Sequence, residues 1–233
     1  MIVSSGRLRS LALAFPTSHT TVEAELLARS LPDNATVLEA GCGRTSRLAQ
    51  HRDRITRLVG VDLDAGAGRE NPALDEFLAA DLAQPLPFPD EGFDLVYANF
   101  VIEHLERPEA TFREWRRVLR PGGGLVFLTS NTANPYLAAA RLLPDRARVV
   151  AKRVGPGAAG RDVFPARYRA NTPKTLTSQL ASAGFEPVEL AAVATLHRYA
   201  GGRAALAALL RGAERVLPTN RRSTMVGWFR RTQ

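Results

Sequence analysis

The spacing of apolar residues along the 233-residue chain switches repeatedly between helical and strand periods. Over Thr20 to Leu31, the positions Val22, Leu26, Leu27 and Leu31 predict an amphipathic helix, with Glu23 and Arg29 turned away and Pro32-Asp33 ending it. Thr36 to Ala40 is a short β-branched and apolar run that breaks into Gly41-Cys42-Gly43, followed by a polar helix expected from Arg44 to His51. Further strands are expected over Arg57 to Val61, Phe77 to Ala80 and Phe93 to Ala98, each ending against a polar residue: Asp62, Asp81 and Asn99. Pro108 to Leu119 reads as a helix, stopped by Arg120-Pro121-Gly122-Gly123-Gly124 before the strand Leu125 to Thr129. Thr172-Pro173 opens another helix, to about Ala183, with Gly184 as its stop and Phe185 to Leu190 as the next strand.

Strands alternating with helices predict right-handed crossovers and an α/β fold with a mainly parallel sheet, covered on both faces. Ligands of such sheets bind beyond the carboxyl ends of the strands, where the polar residues collect. Between about 131 and 171 the periodicity weakens and Pro, Gly and Arg accumulate. That stretch is too long for an ordinary connection and is expected to be a substrate-facing insertion or lid. One domain over 1–233 is expected, with its core at 20–130, the insertion at 131–171, and a C-terminal part with a basic tail at 172–233.

Composition narrows the setting. The apolar share of 45% and charged share of 23% are those of a globular chain. Leu11 to Phe15 and Gly122 to Leu128 fall well short of the ~20 residues of a spanning helix. Arg7 and Arg9 before Leu11 only faintly imitate an export signal, and Cys42 is the single cysteine, so a reducing, cytoplasmic setting is expected. The net charge of +8 comes from arginines, with lysine only at Lys152 and Lys174. It favours anionic partners without choosing among nucleic acid, acidic lipid and a charged small molecule.

The strongest chemical signal is Val37-Leu38-Glu39-Ala40-Gly41-Cys42-Gly43. Its glycines permit close backbone approach to a ligand, and about twenty residues later Asp62 ends the second strand, as a ribose-hydroxyl acceptor should. Together with Val59-Gly60-Val61-Asp62, Asp81-Leu82, Phe93-Asp94-Leu95-Val96 and Leu119-Arg120-Pro121-Gly122-Gly123, this order resembles the motifs of small class I S-adenosylmethionine (SAM)-dependent methyltransferases. Val101-Ile102-Glu103-His104-Leu105 adds a likeness to the ubiquinone-biosynthesis-like (type 11) subgroup, and a bacterial protein is expected.

The resemblance implies a Rossmann-like seven-stranded sheet with its last strand antiparallel. It implies that Glu39, Gly41, Cys42 and Gly43 lie at the methionine part of SAM, and that Asp62, with Leu63 beside it, takes the ribose. Asp81 and the Leu82 backbone would hold the adenine, and Asn99 would line the methionine end. Thr45 stands where the family commonly has a third glycine, so Thr45 or Ser46 is expected to cap the next helix and Arg44 to meet either the SAM carboxylate or solvent. Methyl transfer needs alignment more than acid or base, but a hydroxyl acceptor loses a proton, and His104 is the candidate base. Some relatives hold a metal with a Glu where Phe100 stands, so no metal site is expected.

Asn99-Phe100-Val101-Ile102 is not the turn of amino-methylating nucleic-acid enzymes, and Cys42 in the cofactor turn is no place for a C5-methylating thiolate. The basic amphipathic stretch with Arg141, Arg146, Arg148, Lys152 and Arg153 suits phosphate or a membrane surface. Phe164 to Thr172 resembles a segment of methyltransferases of glycoconjugate pathways, which makes Arg167, Tyr168 and Arg169 candidate acceptor-binding residues. Leu206, Leu209, Leu210, Ala213 and Leu217 form an apolar helical face opposite Arg203, Arg211 and Arg215, suited to packing on its own domain or to a peripheral membrane contact. The expected function is methyl transfer to oxygen of a small anionic or sugar-containing acceptor in glycoconjugate or secondary metabolism. The competing readings are a non-catalytic SAM-binding regulatory or membrane-associated protein and an RNA-directed methyltransferase. A nicotinamide dehydrogenase would want a third glycine at Ser46 and does not account for Asp81-Leu82.

Overall fold

Ser18 accepts the Thr20 N–H at 3.2 Å and starts helix α1 (His19–Ser30), which buries Val22, Leu26 and Leu27. The computed structural model describes residues 18–141 and 165–233; Arg7, Arg9, the run Leu11 to Phe15, the basic stretch from Leu142 to Val154 and Phe164 lie outside them. Glu23, expected to face away, is 1% exposed. It stands three and four residues before Leu26 and Leu27 and therefore shares their face.

The strands are β1 (Ala35–Ala40), β2 (Ile55–Asp62), β3 (Glu76–Ala79), β4 (Phe93–Asn99), β5 (Leu119–Ser130), β6 (Phe185–Val193) and β7 (Thr224–Arg231). They form one sheet in the order β3-β2-β1-β4-β5-β7-β6. The first five pair in parallel, and β7 runs antiparallel to both β5 and β6. This is the Rossmann-like sheet that the sequence motifs imply. The chain turns outward from β1 to β2 and β3, then returns to lay β4 on the other side of β1, so the switch point lies between β1 and β4.

Successive strand residues point to opposite faces, which gives two apolar layers. On one face Leu38, Val59, Val96, Phe127 and Phe229 pack with Phe112 and Trp115 of α3 (Pro108–Val118). Leu176 and Leu180 of the helix Pro173–Ser182 complete that layer. On the other face Val37, Leu58, Leu95, Tyr97, Val126 and Trp228 pack under α1. Among the described residues, three further helices are short or peripheral: α2 (Ala65–Arg69), α4 (Pro135–Arg141) and α6 (Ala204–Arg215), with Pro173–Ser182 as α5.

The residues after the glycine turn do not form a helix from Arg44. A 3-10 segment spans Arg47–Arg54, because Ser46 accepts the Leu48 N–H at 3.0 Å and fixes the start three residues later than expected. The basic tail contains β7: Met225 and Phe229 enter one layer while Val226 and Trp228 enter the other. Of the arginines that obscured this strand, Arg230 lies 5.5 Å from the Trp228 ring centre, as does Arg29 of α1. On α6, Leu206 and Leu210 are half-buried, whereas Leu209 is 68% exposed. The fully buried residue of that helix is Glu214, which accepts the N–H groups of Leu196 and Ser223 at 2.7 and 2.8 Å.

Candidate cofactor and acceptor site

Gly41 and Gly43 end β1 with left-handed backbones, φ 71° and 52°. A Cβ on Gly41 would meet Val101 Cγ2 at 2.3 Å, whereas one on Gly43 would meet nothing within 4 Å. The first glycine is thus needed for packing and conformation, and the second leaves open space beside the turn. Gly41 and Cys42 donate to the Val61 carbonyl at 2.7 and 3.2 Å, and Asn71 donates from Nδ2 to the carbonyls of Cys42 and Gly43, both at 3.1 Å. Asn71, 5% exposed, was not singled out in the sequence; its one signal there is the turn-forming Asn71-Pro72 pair. Cys42 is buried, and burial, then the Asp62 and Glu39 charges, push its thiol up to about 12, so it is no nucleophile.

Asp62 ends β2 with both oxygens engaged: Oδ2 accepts the Gly43 N–H and Oδ1 the Asp64 N–H, each at 2.9 Å. A carboxylate offers about four acceptor positions, so these bonds orient Asp62 and leave it capacity for a diol. Leu63 beside it is 59% exposed. Asp81 is exposed beyond β3 and accepts the Ala83 N–H at 2.8 Å, while the Leu82 side chain sits in the core and its carbonyl takes the Thr111 hydroxyl at 3.2 Å. Arg44 pairs with Glu70 and lies 3.7 Å from Asp64.

Glu39 is 3% exposed and its Oε2 has no protein partner; nor has the buried Oδ1 of Asn99. Glu39 pairs in register with Tyr97, and Asn99 lies one pleat beyond Tyr97 on the same face. An unmatched buried acceptor costs about 1–3 kcal/mol, so two at one strand end mark where a donor-bearing ligand fits. Burial first, opposed by a Ser46 hydrogen bond and reinforced by the Glu23 and Asp62 charges, pushes the Glu39 carboxyl up to about 8. Glu23 accepts the Tyr97 hydroxyl and, at 2.8 Å, Arg47 Nε.

Beyond β4, the 3-10 turn Ile102–His104 organises the acceptor side. The buried Glu103 carboxylate accepts the hydroxyls of Thr129 and Ser130 at 2.8 and 3.0 Å. Its carbonyl accepts the N–H groups of Arg167 and Tyr168 at 2.7 and 3.0 Å. His104 Nδ1 lies 3.1 Å from the Pro165 carbonyl. A carbonyl only accepts, so Nδ1 carries the hydrogen and a neutral ring has its basic nitrogen at Nε2. Arg167 also pairs with Glu106 at 2.6 Å, Arg169 is exposed, and Asn171 donates to Thr129 Oγ1 at 2.7 Å. Phe100 and Tyr168 have left-handed backbones, φ 55° and 53°, a conformation costing such residues about 1–3 kcal/mol each. Thus the candidate acceptor residues are brought beside His104 by the Glu103 backbone carbonyl, and the Glu103 side chain, which had no assigned role, anchors that turn to the end of β5.

A cavity of about 490 Å³ lies at the opposite end of the strands, between Asp90, Arg113, Arg116, Gly184 and Arg231. The carboxyl ends are the stronger candidate, because the glycine turn, Asp62 and the two unmatched acceptors converge there.

Residues 38–127 match the family described as "Methyltransferase domain". The chain is 34% identical over 97 residues to the malonyl-[acyl-carrier protein] O-methyltransferase of Yersinia pestis, covering 40% of this chain and 36% of that protein. It is 32% identical over 144 residues to the ubiquinone/menaquinone biosynthesis C-methyltransferase UbiE of Ectopseudomonas mendocina (strain ymp), covering 56% and 50%. The chain therefore spans about a third to a half of the length of these relatives. Among solved structures, the geranyl diphosphate C-methyltransferase of Streptomyces coelicolor A3(2), in complex with Mg2+, geranyl diphosphate and S-adenosyl-L-homocysteine, shares the fold. The match has a TM-score of 0.63 at 16% identity and covers 91% of this chain and 79% of that one. The sheet order and the glycine turn agree with the match over residues 38–127 and with the fold shared with that solved methyltransferase.

Proposed function

We propose that this protein binds SAM at the carboxyl ends of β1, β2 and β4 and transfers its methyl group to oxygen of a small anionic or sugar-containing acceptor. The observation that carries the cofactor reading is the Gly43 N–H bond to Asp62, which joins the glycine turn to the ribose-binding carboxylate. In this reading Asp62 takes the ribose hydroxyls with Leu63 alongside, and Asp81 with the Leu82 backbone takes the adenine. The Gly41-Cys42-Gly43 backbone, Glu39 and Asn99 hold the methionine end.

The cofactor supplies an activated methyl group, and the protein aligns it. His104 Nε2 accepts the proton that a hydroxyl acceptor loses; Pro165, by taking the Nδ1 hydrogen, keeps Nε2 the basic nitrogen. Arg167, Tyr168 and Arg169 line the acceptor side. The charge of +8 supports an anionic acceptor. So does the Yersinia pestis relative, whose named substrate carries a malonyl carboxylate. The UbiE relative is named a C-methyltransferase, so the acceptor atom must be measured.

The test is incubation with methyl-labelled SAM and a panel of carboxylated, phosphorylated and glycosylated acceptors, reading the bond formed by mass spectrometry. Transfer to oxygen, greatly reduced in His104→Ala, supports the proposal. Transfer to carbon, or unchanged transfer in that variant, rejects the oxygen or base assignment respectively.

A further inference from the structure

Two buried carboxyl groups, one on α1 and one on β1, are linked through Tyr97 beside the glycine turn. Glu23 and Glu39 are 1% and 3% exposed, and Tyr97, in register with Glu39, gives its hydroxyl to Glu23. Arg47 is the cation at hand: its Nε lies 2.7 Å from Glu23 Oε2 and donates to Oε1 at 2.8 Å. That one guanidinium is committed to Glu23, while Glu39 Oε2 is left without a donor and Asn99 Oδ1 is unmatched on the same face. Glu23 bears on Glu39 as a like charge, and two such buried charges do not both ionise readily.

We propose that Glu23 and Glu39 act as a charge-coupled pair that holds one proton, on Glu39, and that this proton passes to solvent when the cationic end of SAM seats against Glu39 and Asn99. The inference rests on the cofactor reading above and adds to it the role of Glu23 and a proton balance. Ligand N–H donors and positive charge replace the proton that keeps Glu39 neutral. Glu23, held by Arg47 and Tyr97, acts through its charge on Glu39 and is a positioning residue.

The surroundings agree. Burial and the neighbouring Glu23 and Asp62 charges push Glu39 up to about 8, with only Ser46 opposing. Burial also raises Glu23, against the Tyr97 and Arg47 hydrogen bonds. On α1 the neighbouring His19 is held down at about 4 by burial and by Arg198, Arg47 and His197, so it is neutral and cannot supply the proton near pH 7. The Tyr97 phenol is driven well up by burial and by Glu23, so it stays protonated. The group that titrates is therefore Glu39.

Calorimetric titration with SAM at pH 6.5 and 7.0, in buffers of different ionisation enthalpy, counts the protons released. At these values the ligand's own α-amino group, with a pKa of about 7.7–8.0, remains charged. Close to one proton is expected, with affinity rising toward tenfold per pH unit. Glu39→Gln should bind SAM with no release and a flat pH profile, and Glu23→Gln should release less than the wild type. Equal binding heats in all buffers and a flat wild-type profile would overturn the proposal while leaving the cofactor reading intact. Absence of SAM binding to the folded wild type would overturn both.

Discussion

The Asp62 carboxylate accepts the Gly43 N–H at 2.9 Å, so the acid that ends β2 holds the turn that ends β1. The residue expected to read the ribose thereby also shapes the backbone against which the cofactor lies. Replacing Asp62 with Ala removes a charged acceptor worth about 1.5–3 kcal/mol, so SAM affinity should fall by roughly 10- to 150-fold. Asp62→Asn, which retains one acceptor oxygen, should lose less.

Asn71 supplies the other brace, bonding the carbonyls of Cys42 and Gly43 from one amide. Asn71→Ala leaves those carbonyls without their buried donor and should cost about 1–3 kcal/mol in denaturant unfolding. Because it holds the turn, the same variant should weaken SAM binding without touching the ligand. Unchanged stability would show that the brace carries no load.

The Cys42 thiol, pushed up to about 12, is almost wholly protonated at pH 8. Thiol reagents should label it only as fast as the protein opens, and SAM should slow labelling further. Rapid labelling of folded protein would contradict the buried turn.

Glu103 ties the segment at Arg167 and Tyr168 to the end of β5. Glu103→Ala keeps the carbonyl but frees the turn from Thr129 and Ser130, so hydrogen exchange at the Arg167 and Tyr168 amides should accelerate, whereas exchange at Gly41 and Gly43 should not. Equal acceleration at both places would mean general loosening rather than release of the acceptor side.

Glu39 also ties stability to pH. Its carboxyl is raised from 4.5 to about 8, so between those values the folded state holds a proton that the unfolded state has lost. Stability from this group is therefore fully present below about pH 4.5 and declines as pH rises toward 8, by at most a few kcal/mol. Glu39→Gln should flatten that decline, measured as thermal midpoints from pH 5 to 8.

Much of this architecture is legible in the chain because its signals are local. The glycine turn, Asp62 at the next strand end and the capping Ser46 each lie within a few residues of the structure they create. What escaped the sequence depends on distant partners: Glu23 meets Tyr97 74 residues away, and His104 meets Pro165 61 residues away. β7 was hidden differently. Both its faces are buried, so it shows no alternation of apolar and polar residues, and its flanking arginines, which lie over Trp228 or pair elsewhere in the fold, read as a basic tail.

The proposed SAM site lies at the carboxyl ends of β1, β2 and β4. Its most direct test is calorimetric titration of the folded protein with SAM, wild type beside Asp62→Ala. Saturable one-to-one binding to the wild type is expected, with binding weakened by at least about tenfold in the variant. No binding to folded wild-type protein, or equal affinity in the two, would contradict it.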